Sequence, residues 1–130
     1  MKFDNKIGSI QQILTATNVG ILRRQAILKE LNLNKGQTVI DIGCGGGHLV
    51  EEISMCIGTS GRAIGVDPSE FQIKTAKERC KHLPNVQFLC SNASDINIDK
   101  SSCDAVTFTQ TLEYIDCLLY TSPSPRDTMS

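Results

Sequence analysis

Two acidic residues and a cluster of glycines carry the clearest chemical signal in this sequence. Asp41 lies in an apolar, β-rich run and is followed after one residue by a loop with four glycines, 43–47. Asp67 comes 24 residues after Gly43, at the end of a second apolar run. Glycines in such a loop let the backbone turn sharply and approach a ligand without a Cβ atom in the way. Since an acidic side chain at the end of the next strand can accept hydrogen bonds from both hydroxyls of a ribose, the pattern predicts a nucleoside-containing ligand.

Two kinds of ligand compete for this glycine loop. A dinucleotide requires G-x-G-x-x-G, in which Gly43 and Gly45 fit but His48 takes the place of the third glycine. The pattern D-x-G-x-G-x-G fits at every fixed position, through Asp41, Gly43, Gly45 and Gly47. A carboxylate before the loop repels a pyrophosphate but attracts an ammonium group. The loop therefore favours a ligand with a positive group, and an NAD-dependent reductase is the less favoured alternative.

The spacing of apolar residues places this loop in an alternating α/β fold. Apolar residues recur every three or four positions over 9–33, which predicts helices there. Strands are predicted at 38–42, 62–66, 86–90 and 103–108, and helices at 48–57, from Ser69 to about 81 and from about Thr111. Right-handed crossovers place the first strand centrally, with the second and third on one side and the fourth on the other. The result is a doubly wound parallel sheet whose switch point, where ligands bind, lies beside the first strand.

Composition and charge narrow the class of protein. Thirteen basic residues offset fourteen acidic ones, which gives a net charge of -1. Because the charges balance and no long basic run occurs, an electrostatic grip on nucleic acid or on a membrane surface is not expected. The apolar runs are too short to span a bilayer and the polar start has no signal-peptide pattern, so a cytoplasmic location is expected. The six cysteines match no zinc spacing, and we expect free thiols and no metal site.

The region 36–116 resembles the class I S-adenosylmethionine-dependent methyltransferases. Segment 39–50 is similar to their glycine-rich motif, 63–70 to their ribose-binding segment, 86–96 to the segment around the adenine, and 104–114 to the fourth strand and the loop beneath the methyl group. The resemblance implies a Rossmann-like sheet, of which strands 1–4 are the N-terminal half, preceded by an N-terminal helical cap at 1–35. In the family such helices cover the cofactor, and simple packing on the sheet is an equal alternative here.

The resemblance also implies that ten residues bind S-adenosylmethionine. Asp41 and the backbone of Gly43 would hold the methionine ammonium group, and Asp67 would accept from the ribose hydroxyls. Asn92 would contact the adenine, at a position where the family usually has an acidic residue. The other implied cofactor-binding residues line the cofactor or shape the turns of the chain beside it. They are Cys44, Gly45, Gly47, Pro68, Ala93 and Thr109, with Gln110 beside Thr109 near the sulfonium.

The implied activity is methyl transfer to a small-molecule acceptor that the sequence does not name. Displacement at a methylsulfonium has a very good leaving group, so positioning supplies much of the acceleration and no catalytic base is assigned. Glu113 and Tyr114 follow the fourth strand, and a solvated helix face is the favoured interpretation of both. The alternative is a non-catalytic protein that binds the cofactor or acts as a scaffold.

The last segment, 117–130, departs from the pattern before it. Its Ser- and Pro-rich stretch resembles the in-frame translation of an adapter from a sequencing library. We therefore predict that the natural gene product diverges from this sequence at about Asp116, and that the 130-residue chain is unstable or inactive. We also predict that the fourth strand forms a free edge of the sheet, which favours aggregation.

Overall fold

The structure is a computed structural model of the chain, and it describes residues 8–10, 18–96, 102–108 and 113–116. The predictions for Thr109, Gln110 and the segment 117–130 lie outside these residues. The described helices are α1 (Asn18–Leu31), α2 (His48–Ile57) and α3 (Glu70–Arg79), and the strands are β1 (Thr38–Ile42), β2 (Arg62–Asp67), β3 (Val86–Cys90), β4 (Ala105–Phe108) and β5 (Glu113–Asp116). A helical segment at 8–10 and a short 3-10 helix, Ala93–Asp95, complete the described elements.

The strands form one sheet in the order β3-β2-β1-β4-β5. Strands β1 to β4 are parallel to one another, which confirms the predicted central position of the first strand and the crossover to the other side before β4. The carboxyl ends of β1, β2 and β4 therefore meet at one edge of the sheet, where parallel sheets of this topology bind ligands.

Apolar residues cover both faces of the central strands. One core cluster joins α1, α2 and α3 to the sheet through residues such as Ile27, Leu49 and Ile73. A second cluster includes Ile40 and Val106, and no residue of the three described helices belongs to it. Strands that are buried on both faces are mostly apolar rather than alternating, and the buried residues of β1 and β4 are apolar except for Asp41 and Thr107.

Helix α3 begins where the sequence predicts. The hydroxyl oxygen of Ser69 accepts a hydrogen bond from the Gln72 N–H at 3.2 Å, which satisfies one of the backbone donors at the helix start. This cap fixes the chain directly after Asp67. The helix therefore starts next to one of the two acidic residues of the predicted site.

The end of the described chain corrects two predictions. The helix expected from about Thr111 is wrong, because residues Glu113–Asp116 form β5 and pair antiparallel with β4. The predicted free edge of the fourth strand is therefore also wrong, and the described sheet has five strands. An edge strand presents unpaired N–H and C=O groups, and a neighbouring segment gains backbone hydrogen bonds by pairing with them. That gain outweighs a helical preference in so short a segment.

None of the described helices has both the length and the apolar character needed to cross a membrane. Within the described ranges, Cys44, Cys56, Cys80, Cys90 and Cys103 are free thiols. The same ranges contain no group of three His, Cys, Asp or Glu side chains placed to hold a metal ion.

Candidate functional site

The glycine loop, residues 43–47, connects β1 to α2 at the edge of the sheet where the carboxyl ends of β1, β2 and β4 meet. Strand register sets what lies beside it. Asp41 on β1 is paired with Gly65 on β2 and with Thr107 on β4. Asp67, the last residue of β2, is paired with Cys90, the last residue of β3. Both predicted acidic residues are thus brought to the same edge by neighbouring strands.

The conformation of the loop explains its glycines. Gly43, Gly45 and Gly47 have φ angles of 75°, 55° and 85°, in the left-handed region that other residues rarely adopt. Gly47 is required for a second reason, because a Cβ atom there would lie 2.9 Å from the Cβ of Ala76 on α3. The loop lies against α3 so closely that only glycine fits at its end.

Most backbone donors of the loop are used inside the chain. The N–H groups of Gly43 and Cys44 both donate to the carbonyl oxygen of Val66, at 2.7 and 2.9 Å. The Gly47 N–H donates to the carbonyl oxygen of Cys44 at 3.1 Å. A loop that binds a pyrophosphate directs its N–H groups at the ligand. This loop directs these donors back into the protein, which argues against the dinucleotide alternative.

The carboxylate of Asp67 is also joined to the loop. Its Oδ2 accepts from the Gly45 N–H at 3.0 Å, and its Oδ1 accepts from the Ser69 N–H at 2.9 Å. The residue is 5% exposed. A carboxylate oxygen has two lone pairs, so each of these oxygens retains capacity for a further donor. Asp67 therefore connects β2, the glycine loop and the start of α3, and its role toward a ribose stays a prediction.

Asp41 lies beneath the loop with no exposed surface. Its Oδ1 accepts a hydrogen bond from the hydroxyl of Thr107 at 2.6 Å. The carboxylate is therefore shielded from a ligand in this conformation, and its role toward an ammonium group stays a prediction.

The pKa of the Cys44 thiol reflects the burial and the negative charges around the loop. Burial raises the pKa of its thiol well above the ordinary value, and the negative charges of Asp41 and Asp67 raise it further. A thiol held neutral in this way is no nucleophile. Cys44 is part of the core, and a Cβ atom at Gly65 would lie 2.9 Å from its sulfur, so Cys44 packs as a small buried residue.

The residues predicted to surround an adenine are placed differently. Asn92 and Ala93 follow β3 at the start of the short 3-10 helix, and both are exposed. The side chain of Asn92 makes no capping hydrogen bond to that helix. Pro68 is exposed as well, and its carbonyl oxygen accepts from the Cys90 thiol at 3.5 Å. These residues lie at the expected edge of the sheet but outside the packed part of the site.

Sequence reasoning missed residues that support the loop. Thr107 was not selected, although a polar residue in a strand buried on both faces was a usable signal. Arg79 on α3 donates its Nε–H to the carbonyl oxygen of Gly46 at 2.9 Å, across 33 residues of chain, and no local pattern indicates such a contact. His48, at the start of α2, is half-buried. Burial, Arg79 and Arg24 together lower its pKa to about 4.

A family described as a methyltransferase domain matches residues 39–119 of this chain. The match begins in β1 and extends past β5, so it contains the glycine loop and both carboxylates. It confirms the family resemblance predicted from the same segments.

Curated proteins similar to this chain include demethylmenaquinone methyltransferases of staphylococci. The protein from Staphylococcus carnosus is 32% identical over 84 residues, which cover 65% of this chain and 35% of that protein. The protein from Staphylococcus saprophyticus is 30% identical over 84 residues, which cover 65% of this chain and 36% of that protein. The chain thus spans about a third of the length of these curated relatives.

Solved structures with the same fold include a SAM-dependent methyltransferase from Aquifex aeolicus, with a TM-score of 0.59 and 29% identity over 65% of this chain and 46% of that one. Phosphoethanolamine N-methyltransferase 1 from Haemonchus contortus, solved with phosphoethanolamine and S-adenosylhomocysteine, has a TM-score of 0.60 and 26% identity, over 66% of this chain and 18% of that one. These similarities confirm the Rossmann-like fold class.

Proposed function

The chain belongs to the methyltransferase domain family, and we propose that it holds S-adenosylmethionine for methyl transfer to a small organic acceptor. When bound, this cofactor supplies an electrophilic methyl group on a positively charged sulfur. The residues at the edge of the sheet would bind and orient it. Because the chain spans about a third of its curated relatives, the activity of the whole protein is part of the proposal.

The observation that carries the proposal is the pair of buried carboxylates on either side of the glycine loop. Asp41 has no exposed surface and Asp67 is 5% exposed, and the loop donates one of its N–H groups to Asp67. Such a site attracts ligands with positive charge, because charges interact strongly where water is excluded. S-adenosylmethionine carries an ammonium group and a sulfonium, whereas a dinucleotide carries a pyrophosphate that the same site repels.

The glycines make room for this ligand. Gly45 has a φ angle of 55°, which disfavours any other residue, and a Cβ atom there would make an ordinary contact with the Gln72 side chain, 3.8 Å from its Nε2. Backbone without side chains can approach the methionine part of the cofactor closely. We infer that Gly43, Gly45, Gly47 and Cys44 line this part.

The ribose and the adenine would lie further along the edge. Asp67 retains acceptor capacity for the ribose hydroxyls, and Pro68 shapes the turn after it. Asn92 and Ala93 are exposed and available to the adenine, with the Asn92 amide oxygen as an acceptor for its amino group. The family resemblance implies that Thr109 lies near the sulfonium, and this position stays a prediction.

The acceptor is proposed to be a small molecule, since the similar staphylococcal proteins are demethylmenaquinone methyltransferases. No residue is assigned as a base, because a well-aligned sulfonium needs mainly positioning of the acceptor. The cytoplasmic location expected from the sequence stays a prediction that cell fractionation tests.

Calorimetric titration of the complete gene product with S-adenosylhomocysteine, S-adenosylmethionine and NADH tests the proposal. We expect both adenosyl ligands to bind and NADH to show no heat of binding. Asp67→Ala should weaken S-adenosylhomocysteine at least about tenfold, because it removes the acceptor for Gly45 and for the ribose. Glu30→Ala, at an exposed position on α1, is the control and should bind as the wild type does.

The outcomes separate the candidate functions. NADH binding without adenosyl binding would overturn the proposal in favour of the reductase. Cofactor binding without turnover of labelled S-adenosylmethionine, against a panel of phenols and quinols, would favour the non-catalytic scaffold.

We also propose that the natural reading frame departs from this sequence after Asp116. The adapter-like composition of 117–130 supports this. Amplification of the gene from genomic DNA and sequencing past that codon tests it. A frame that reads 117–130 and stops there would contradict it.

A further inference from the structure

We propose that Thr107 is a positioning residue for Asp41, and that its hydroxyl holds the buried carboxylate where its charge acts on the amino group of the bound cofactor. The inference rests on the proposed function, since it assigns a supporting residue to the same site. Thr107 belongs to β4, and Asp41 to β1, so the contact joins two strands that are far apart in the sequence.

The geometry of the pair favours this role. Neither residue has any exposed surface. The Thr107 hydroxyl lies 2.6 Å from Asp41 Oδ1 and 3.5 Å from the carbonyl oxygen of Ile40. A hydroxyl has one hydrogen to donate, and the shorter contact to the carboxylate is the stronger bond.

The cost of burying the Asp41 carboxylate gives the Thr107 hydroxyl a role beyond packing. A buried carboxylate remains charged only when donors compensate for the water that it has lost. Hydrogen bonds to an ionised acceptor are roughly twice as strong as neutral ones, so loss of this donor disturbs the charge or the orientation of Asp41. The rest of the strand pairing keeps the backbone of both residues in register, so the hydroxyl is separable from the fold.

The experiment compares two variants and two ligands on the complete gene product. Thr107→Val removes the donor and keeps the shape, whereas Thr107→Ser keeps the donor. The ligands are S-adenosylhomocysteine and an analogue of it that lacks only the α-amino group. Calorimetry gives both dissociation constants, and near-ultraviolet circular dichroism shows that each variant is folded.

We expect Thr107→Val to weaken S-adenosylhomocysteine about tenfold and to change binding of the deaminated analogue by less than about twofold. Thr107→Ser should bind both ligands within about twofold of the wild type. Asp41→Asn should show the same selective loss, and Thr107→Val combined with Asp41→Asn should be no worse than Asp41→Asn alone, because both changes act on one interaction.

Other results overturn the inference. Equal weakening of both ligands by Thr107→Val, or a loss in Thr107→Ser as large as in Thr107→Val, would show that Thr107 only packs the core. If Thr107→Val does not fold, Asp41→Asn provides the test. The role would be refuted if Asp41→Asn preferred S-adenosylhomocysteine over the deaminated analogue as strongly as the wild type does. If the wild-type protein binds neither ligand, the proposed function is wrong, and this inference fails with it.

Discussion

The glycine loop after β1 and the turn after β3 lie at the same edge of the sheet but differ in how firmly they are held. In the loop, Gly47 is buried against Ala76, and Gly45 is hydrogen-bonded to the Asp67 carboxylate. After β3, both Asn92 and Ala93 are exposed. The end proposed to hold the amino-acid part of the cofactor is therefore built into the core, while the end proposed for the adenine lies at the surface.

The difference indicates where binding is preorganised. A loop that packing and hydrogen bonds already hold loses little freedom when a ligand binds, so its contacts contribute fully to affinity. An exposed side chain such as that of Asn92 loses rotamer freedom when it binds, which offsets part of what its contacts contribute. We expect substitutions in the loop to affect folding and binding together, and substitutions after β3 to affect binding alone and weakly.

The largest effect is expected from Gly47→Ala. The φ angle of 85° strains any other residue, and the added Cβ would lie 2.9 Å from that of Ala76. The two costs together should lower the free energy of unfolding by about 3 kcal/mol in a urea titration. Gly36→Ala is the matched control, because Gly36 has a φ of 88° but its nearest side-chain atom would be 3.6 Å away. It should cost about 1 kcal/mol. Equal losses in the two variants would show that the loop does not pack closely on α3.

An intermediate effect is expected from the protonation of His48. Burial, Arg79 and Arg24 lower its pKa to about 4, from an ordinary value of 6.5. Between these two values the unfolded chain binds more protons than the folded chain, so stability is complete above pH 6.5 and falls as the pH drops toward 4. For a half-buried group screened by water, the loss is on the order of 1 kcal/mol.

Urea titrations at several pH values between 7.5 and 4.5 measure this loss. From pH 7.5 to pH 4.5 the wild type should lose about 1 kcal/mol more unfolding free energy than His48→Gln loses. His82→Gln serves as the control for replacing a histidine, because the His82 side chain is 59% exposed. An unchanged pH dependence in His48→Gln would show that the start of α2 is open to water.

The smallest effect is expected from Asn92→Ala. Its side chain is exposed and makes no capping hydrogen bond, so the free energy of unfolding should change by less than about 0.5 kcal/mol. Binding of S-adenosylhomocysteine should weaken only a few-fold, by roughly the value of one hydrogen bond that is partly exposed to water. A loss as large as that of Asp67→Ala would remove the contrast between the two ends of the site.

Much of the fold and part of the site are predictable from local pattern. Ser69 caps α3 as expected, and the predicted strands up to β4 are present because each apolar run is a local property of the chain. The pairing of Glu113–Asp116 with β4 was not predictable in this way. Its preference for a strand depends on an available edge, which the sequence of the segment does not reveal.

The amino-acid sequence by itself determined the order of helices and strands and the place of the glycine loop before α2, because periodicity and backbone sterics act over a few residues. Only the tertiary structure decided that Thr107 meets Asp41 across 66 residues, and that Arg79 holds Gly46. It also decided that the loop directs its N–H groups into the protein. These contacts depend on the register of distant strands and on how α3 packs against the sheet. Both are set by the burial of the whole core rather than by the residues that make the contact.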